Sequence, residues 1–105
     1  GGEFRKLFEQ RAGQNRATCE FSTAARAATF GGIESLLVDF DSITEGQVDD
    51  ETGALTFASE SDAAGYCIVD EIAGRAMRSG ATVLAVRKAD IPGGKELAAI
   101  LRYPV

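Results

Sequence analysis

The stretch IESLLVDFD, residues 33–41, is the part of the sequence that decides the fold. It places Leu36, Leu37 and Val38 next to one another, so both faces of a strand formed here would be apolar. Such an uninterrupted apolar run is typical of a strand that is covered on both sides. A glycine pair precedes the run and polar residues follow it, which limits the buried part to about one strand length. We therefore expect this segment to be the central strand.

The residues before this strand predict a helix, a short strand and a second helix. Residues 3–12 repeat apolar side chains at spacings of three and four, which indicates an amphipathic helix. Residues 16–21, RATCEF, alternate and predict a short strand. An alanine-rich helix follows, with Phe30 expected on its inner side and Gly31 as its left-handed cap.

The residues after the central strand predict a hairpin, a helix and two strands. Residues 42–62 are acidic and rich in turn residues, which favours a small hairpin with its tip at DETG. Residues 62–79 have helical periodicity, with Arg75 among the side chains that point away from the core. TVLAVR, residues 82–87, predicts another buried strand, and residues 97–103 predict the last strand.

This order of elements predicts an α/β domain with a mostly parallel sheet and helices on both of its faces. The polar loop KADIPGGKE, residues 88–96, is too short for a helical crossover. We therefore expect the final strand to be antiparallel to its neighbour.

Length and charge exclude several classes of protein. With 105 residues the chain makes one domain, and no apolar run approaches the roughly 20 residues of a membrane span. Eleven basic residues against 16 acidic ones give a net charge of −5, which opposes general binding of nucleic acid backbones. The only methionine is Met77, so the sequence does not begin with an initiator methionine. We therefore expect a domain that belongs to a longer, cytoplasmic protein.

Three short motifs invite a chemical interpretation, and each has a structural alternative. Phosphatases of the haloacid dehalogenase type begin with an apolar strand followed by a motif such as Asp39-Phe40-Asp41. Those enzymes also need a downstream lysine and further acidic metal ligands, and no residue of this sequence is clearly placed to supply them. The acidic residues near Asp49 lack the spacing of a calcium loop. Pro92-Gly93-Gly94 fits a turn better than a phosphate cradle. We predict no catalytic, cofactor or metal site.

The histidine and cysteine content also argues against a catalytic site. The chain contains no histidine, so catalysis by a Ser-His-Asp or Cys-His arrangement is excluded within it. Cys19 and Cys67 are far apart and neither belongs to a C-x-x-C pair. Two buried thiols are the simpler interpretation, although the sequence leaves a disulfide between them open. Tyr66 and Tyr103 are interpreted as half-buried packing residues.

Two segments resemble one known family in the same order along the chain. In RAATFGGIESLLVD a glycine leads into a strand of the form G-[AG]-[VI]-E-x-L-[LI]-[VI], matched by Gly32, Ile33, Glu34, Leu36, Leu37 and Val38. In GGKELAAILRYPV the closing pattern G-G-[IL]-x-A-I-L-R-[YF] is matched by Gly94, Ala99, Ile100, Leu101, Arg102 and Tyr103. These patterns are similar to the C-terminal domain of the archaeal and eukaryotic class-1 peptide chain release factors and of Pelota. The compact loops and acidic surface suggest a bacterial relative.

The resemblance implies a three-layer α/β/α sandwich with a mixed, mostly parallel sheet, related to the kink-turn RNA-binding ribosomal proteins. It also implies a non-catalytic domain that contacts a translational GTPase or a ribosome-associated protein. The G-G-Q tripeptide that release factors use for hydrolysis is absent, since residues 12–14 are Ala-Gly-Gln. Peptidyl-tRNA hydrolysis is therefore not assigned to this chain.

A docking surface is expected at the carboxyl ends of the parallel strands, where ligands bind in open α/β sheets. The residues predicted to gather there are Asp39, Asp41, Arg87, Asp90, Gly93 and Gly94. A protein partner is favoured by the negative charge, with structured RNA of the kink-turn type as the alternative. DNA and membranes are not expected as partners, and the oligomeric state is left open.

Overall fold

The central strand organises the structure, a computed structural model that describes residues 2–61 and 64–105. In this part of the chain there are three helices, seven strands and three single 3-10 turns. In chain order the helices and strands are α1 Gly2–Ala12, β1 Ala17–Thr18, α2 Phe21–Thr29, β2 Ile33–Asp39, β3 Glu45–Val48, β4 Leu55–Phe57, β5 Tyr66–Cys67, α3 Ile68–Arg78, β6 Thr82–Val86 and β7 Leu97–Leu101. The turns are Ala58–Glu60, Lys88–Asp90 and Pro92–Gly94.

Strand β2 lies inside a four-stranded sheet of order β1-β7-β2-β6. Leu36 and Val38 face a core formed with α2 and α3, whereas Leu37 faces a smaller cluster with Ile91 and Ala98. All three side chains of the apolar run are buried. The prediction of a central strand covered on both faces is confirmed.

Helices cover both faces of this sheet, as predicted. On one face α2 and α3 pack against each other and against β2. On the other face α1 contacts β1 and β7, and Phe4 and Phe8, with ring centroids 6.1 Å apart, pack against the cluster around Leu37. The result is the three-layer α/β/α sandwich.

The sheet is mixed, but fewer of its strands are parallel than the element order predicted. β2 and β6 are parallel, whereas β2 with β7 and β7 with β1 are antiparallel. The last strand turns back as expected because the connection after β6 contains only two 3-10 turns. The short strand β1 adds the second antiparallel pair, with Ala17 opposite Ile100.

Strand β6 is an edge strand, so the prediction of another buried strand was wrong for residues 82–87. No strand of the described residues pairs with its outer side, and Leu84 is 56% exposed. A short apolar run does not distinguish a central strand from an edge strand, because both place apolar side chains against the layer below. β6 contains neither a charged residue nor a proline.

The acidic segment forms the predicted hairpin, which belongs to a second sheet of order β4-β3-β5. Its tip is closed by Asp49, whose Oδ1 accepts the backbone N–H groups of Glu51 at 2.9 Å and Thr52 at 2.8 Å. Gly53 has a φ of 73°, a left-handed conformation that favours glycine. At the other end, the ring of Phe57 meets that of Phe21 edge-on.

The Asp49 carboxyl at the hairpin tip makes the free energy of unfolding depend on pH in the acidic range. Hydrogen bonds from the Thr52 and Glu51 backbone lower the pKa of the Asp49 carboxyl below its ordinary value. A lowered folded-state pKa adds stability above the unfolded-state pKa of about 4, and this contribution is lost as pH falls through the folded-state value. Asp49→Asn keeps an acceptor oxygen but does not titrate. We expect its unfolding free energy to fall less steeply below about pH 4 than that of the unmodified protein.

Urea unfolding at a series of acidic pH values measures this difference. Glu51→Gln is the matched control, because it removes a neighbouring carboxyl that accepts no hydrogen bond in the described residues. An unchanged pH dependence in Asp49→Asn would show that the hairpin tip does not contribute to acid sensitivity.

Helix α3 begins at Ile68, not near residue 62, because the chain first forms β5, which pairs with β3. Residues 62 and 63, where the predicted start falls, lie outside the described residues. The predicted end is correct, since the helix stops at Arg78 and Gly80 has a φ of 90°.

Arg75 of α3 does not point away from the core as predicted, since it is only 6% exposed. Its guanidinium connects α3 to α2 and to the hairpin. It donates to Glu71 Oε2 (2.7 Å), Thr29 Oγ1 (2.7 Å), Val48 O (2.9 Å), Asp49 O (2.9 Å) and Asp50 Oδ1 (3.1 Å). The hairpin folds over this side of the helix, which helical periodicity alone does not reveal.

The segment around α2 differs from its prediction at both ends. β1 has two residues instead of six, because α2 already begins at Phe21. Phe30 is exposed, not on the inner side of the helix, whereas the alanines at 24, 25 and 28 are buried as expected. Gly31 has the predicted left-handed conformation, with a φ of 73°. No helix in the described part of the chain has the length and apolar character to cross a membrane.

Candidate functional site

The predicted site lies where β2 and β6 end and β7 begins, here called the carboxyl edge and formed by residues 39–44 and 87–96. Asp39 is the register partner of Val86, and the N–H of Phe40 donates to the Val86 carbonyl at 3.1 Å. The N–H of Asp39 donates to the Glu96 carbonyl at 2.9 Å. Two parallel strand ends and the start of an antiparallel strand therefore converge here.

All six predicted residues lie on these segments, and five of them are exposed. Asp39 is the exception: it is buried, and its Oδ1 accepts the N–H of Asp41 at 2.9 Å. Gly93 and Gly94 have φ values of 71° and 63° and shape the connection to β7. Asp39 therefore closes a turn with its carboxylate, whereas the side chain of Asp41 is exposed.

Glu96 holds the loop of residues 39–44 in place, a role that the sequence did not suggest. Its Oε1 accepts the hydroxyl of Ser42 at 2.7 Å and that of Thr44 at 2.8 Å. The Thr44 carbonyl in turn accepts the N–H of Ile68 at 3.1 Å. The loop is thereby fixed to the start of β7 and to the start of α3.

This fixed loop presents two large apolar side chains that sequence reasoning missed. Phe40 is 57% exposed and Ile43 is 88% exposed. Apolar and aromatic anchors inside a polar rim are the usual composition of the centre of a protein interface. The available signal was the pair of apolar residues in the otherwise polar run DFDSIT, residues 39–44.

The structure gives little support to the phosphatase, calcium-loop and phosphate-cradle interpretations of the sequence. Within the described residues no group of three or more His, Cys, Asp or Glu side chains could hold a metal ion. Asp39 is engaged by the Asp41 backbone, and Asp49 by the hairpin tip. Pro92–Gly94 forms a 3-10 turn whose two glycines both have left-handed φ values.

The two cysteines are free thiols, which answers the question that the sequence left open. Cys19 Sγ lies 3.7 Å from the Pro92 carbonyl, which it faces as donor. Burial raises the pKa of the Cys19 thiol, and the nearby Lys95 opposes this only in part. Since the thiolate is the nucleophile, Cys19 is a poor candidate for catalysis at neutral pH.

Comparison with known proteins gives matches in structure and none in sequence. No protein-family model matches the chain, and no curated protein matches it in sequence. The structure of S. cerevisiae Dom34, described as a translation termination-like factor involved in RNA quality control pathways and interacting with Hbs1, matches with a TM-score of 0.65. The identity is 16%, over 98% of this chain and 27% of that chain.

A second solved structure is the C-terminal domain of a peptide chain release factor from Methanosarcina mazei. It matches with a TM-score of 0.68 and 17% identity, over 99% of this chain and 81% of that chain. The present chain thus spans about a quarter of the length of Dom34 but most of the release factor domain. The chain has the fold shared by Dom34 and the C-terminal domain of a peptide chain release factor, as its sequence patterns predicted.

Proposed function

We propose that this chain is a non-catalytic interaction domain of a release-factor-like or ribosome-rescue-like protein of the cytoplasm. It docks a translational GTPase or another ribosome-associated protein and is one domain of a longer chain. The supporting observation is the shared fold over nearly the whole chain with Dom34, which interacts with Hbs1, and with a release factor domain.

The carboxyl edge is the proposed docking surface. Phe40 and Ile43 supply exposed apolar anchors on a loop that Glu96 holds in place. Exposed charges of both signs surround them, namely Asp41, Asp90 and Arg87. An apolar centre with a charged rim fits a protein partner better than a phosphate backbone, which requires a predominance of basic side chains.

The alternative function is binding of structured RNA of the kink-turn type. The observation in its favour is local, since Arg87, Lys88 and Lys95 are exposed on the carboxyl edge and form no ion pair within the described residues. RNA binding through these side chains would weaken steeply as salt is raised. This salt dependence separates the two functions.

Truncation of the two anchors provides the first test. In the natural protein, tagged and recovered from its own cell lysate with and without GTP analogues, Phe40→Ala with Ile43→Ala should reduce co-migration with ribosomal subunits or a translational GTPase about tenfold or more. The physical reason is that buried aromatic and aliphatic anchors contribute most of the binding energy of an interface. Sucrose gradients and identification of the co-purifying proteins give the measurement.

Met77→Ala is the matched control, because Met77 is 58% exposed, close to the value for Phe40, but lies on α3 away from the carboxyl edge. It should leave co-migration unchanged. Absence of ribosomal association with any nucleotide would contradict the proposed function. Association that survives removal of this domain would contradict it as well. Unchanged binding in the double variant Asp41→Ala with Asp90→Ala would exclude a contribution of the charged rim.

A further inference from the structure

A second surface lies at the opposite end of the sheet, where β2 begins and β7 ends. Here a groove of about 450 Å3 runs between α2 and the end of β7 with the residues that follow it. Ala27, Gly32 and Leu101, none of which is exposed, contribute apolar surface to its lining. The groove is distinct from the carboxyl edge, because β2 separates the two along its length.

Exposed aromatic side chains stand at the rim of this groove. Phe30 is 70% exposed and Tyr103 is 67% exposed, which contradicts the sequence-based expectation of a half-buried Tyr103. Both line the groove. Apolar side chains of this size at an open groove favour contact with another apolar group.

Hydrogen bonds hold the wall opposite α2 in position. The N–H of Arg102 donates to the Gly32 carbonyl at 2.8 Å, and Arg102 Nε donates to the Ile33 carbonyl at 3.0 Å. The N–H of Val105 donates to the Asn15 carbonyl at 2.8 Å. The groove is therefore formed before any ligand binds, which reduces the entropy lost on binding.

A basic side chain lines the groove, although the whole chain is acidic. Among the described residues that line the groove, Arg26 has the only charged side chain, in a protein whose net charge is −5. Arg26 is exposed and forms no ion pair within the described residues. It lies four residues before Phe30, so the guanidinium and the ring flank the same side of the helix. A ligand that matches both is apolar with an adjacent carboxylate.

We propose that this groove binds an acidic peptide segment of a partner protein. One large apolar side chain of the segment enters between Phe30 and Tyr103, and a neighbouring carboxylate pairs with Arg26. Nucleic acid fits less well, because affinity for a phosphate backbone requires several basic contacts and the described residues of the lining contain one basic side chain. This site does not depend on docking at the carboxyl edge and is tested separately.

The test is a titration of the isotope-labelled 105-residue chain with a short blocked peptide of aspartates around one phenylalanine, followed by amide NMR. The resonances of Ala27, Gly32 and Val105 should shift. Arg26→Glu should weaken binding about tenfold, since a charge-assisted pair is removed. A peptide with alanine in place of its phenylalanine should also bind about tenfold more weakly, since it buries no ring. The chain with Lys6→Glu, an equal charge change on α1, should bind as before.

Several outcomes would overturn the proposal. These are the absence of saturable shifts at low-millimolar peptide, shifts that map to the carboxyl edge, and unchanged binding in Arg26→Glu. Stronger shifts with oligouridylate than with the acidic peptide would assign the groove to nucleic acid instead. Thermal melting establishes that each variant is folded, and Arg26→Gln replaces the glutamate variant if that one unfolds.

Discussion

Arg75→Ala is expected to reduce the free energy of unfolding by about 1–3 kcal/mol, because it removes a buried guanidinium and the hydrogen bonds by which it joins α3 to α2 and to the hairpin. The guanidinium satisfies the Val48 and Asp49 carbonyls and the Glu71 carboxylate from a buried position. The Val48 carbonyl keeps a hydrogen bond from the Tyr66 hydroxyl and the Asp49 carbonyl keeps one from the Gly53 N–H, so the loss is that of hydrogen bonds to a charged donor. The ion pair with the almost fully exposed Asp50 contributes little by comparison.

Urea unfolding of a small set of variants distinguishes these contributions. Arg78→Ala is the matched control, since Arg78 is an exposed arginine one turn later on the same helix. It should change the unfolding free energy by less than about 0.5 kcal/mol, as should Asp50→Ala. The unfolding free energy of Arg75→Lys should lie between that of the unmodified protein and that of Arg75→Ala, because an ammonium cannot reproduce the planar set of five donors. A loss below about 1 kcal/mol for Arg75→Ala would mean that water replaces the guanidinium.

Leu36→Ala is expected to destabilise the protein by about 2–5 kcal/mol, the range for removal of a buried leucine side chain from a packed core. Leu36 is buried in the core between β2, α2 and α3. The cavity would lie in the central strand, whose neighbours on both sides are paired to it and cannot easily close around it.

Leu84→Ala makes the same chemical change on the adjacent strand and serves as the control. Because Leu84 is largely exposed on the edge strand β6, its truncation should reduce the unfolding free energy by less than about 1 kcal/mol. Equal losses for the two variants would contradict the assignment of β2 as the buried centre and β6 as the edge.

The parts of the fold that the sequence predicts are those set by local pattern. Three consecutive apolar residues, Leu36 to Val38, indicate a doubly covered strand because alternation leaves no polar face. The short connection of residues 88–96 indicates an antiparallel last strand because a crossover needs more chain. The shared fold with release factor domains was predictable from the ordered patterns at the two ends of the core.

The parts that it does not predict depend on distant segments. Arg75 is polar on a helix with an apolar face, and only the hairpin, 25 to 27 positions earlier, makes it a buried residue. Strand β6 has the composition of a central strand, and only the absence of a further strand on its outer side in the described residues makes it an edge. Local periodicity carries no information on where a sheet stops.

The candidate site also has parts that the sequence predicts and parts that it does not. The exposed charges of the carboxyl edge follow from topology, because parallel strands bring their ends together. Phe40 and Ile43 were missed because a loop has no periodic pattern that separates covered from exposed apolar side chains. Glu96 acts on Ser42 and Thr44 across more than 50 positions of sequence, which no local pattern shows.

The open edge of β6 has a consequence for the behaviour of the protein in solution. Natural edge strands are commonly protected by charge, proline or a bulge, and β6 has neither charge nor proline while its pairing with β2 is regular. Mutual repulsion opposes the pairing of two molecules at this edge, since each carries a net charge of −5 at neutral pH. Near the isoelectric point, about 4.6, that repulsion disappears. The electrostatic opposition to edge pairing therefore comes from the charge of the whole surface, because β6 contributes no charge of its own.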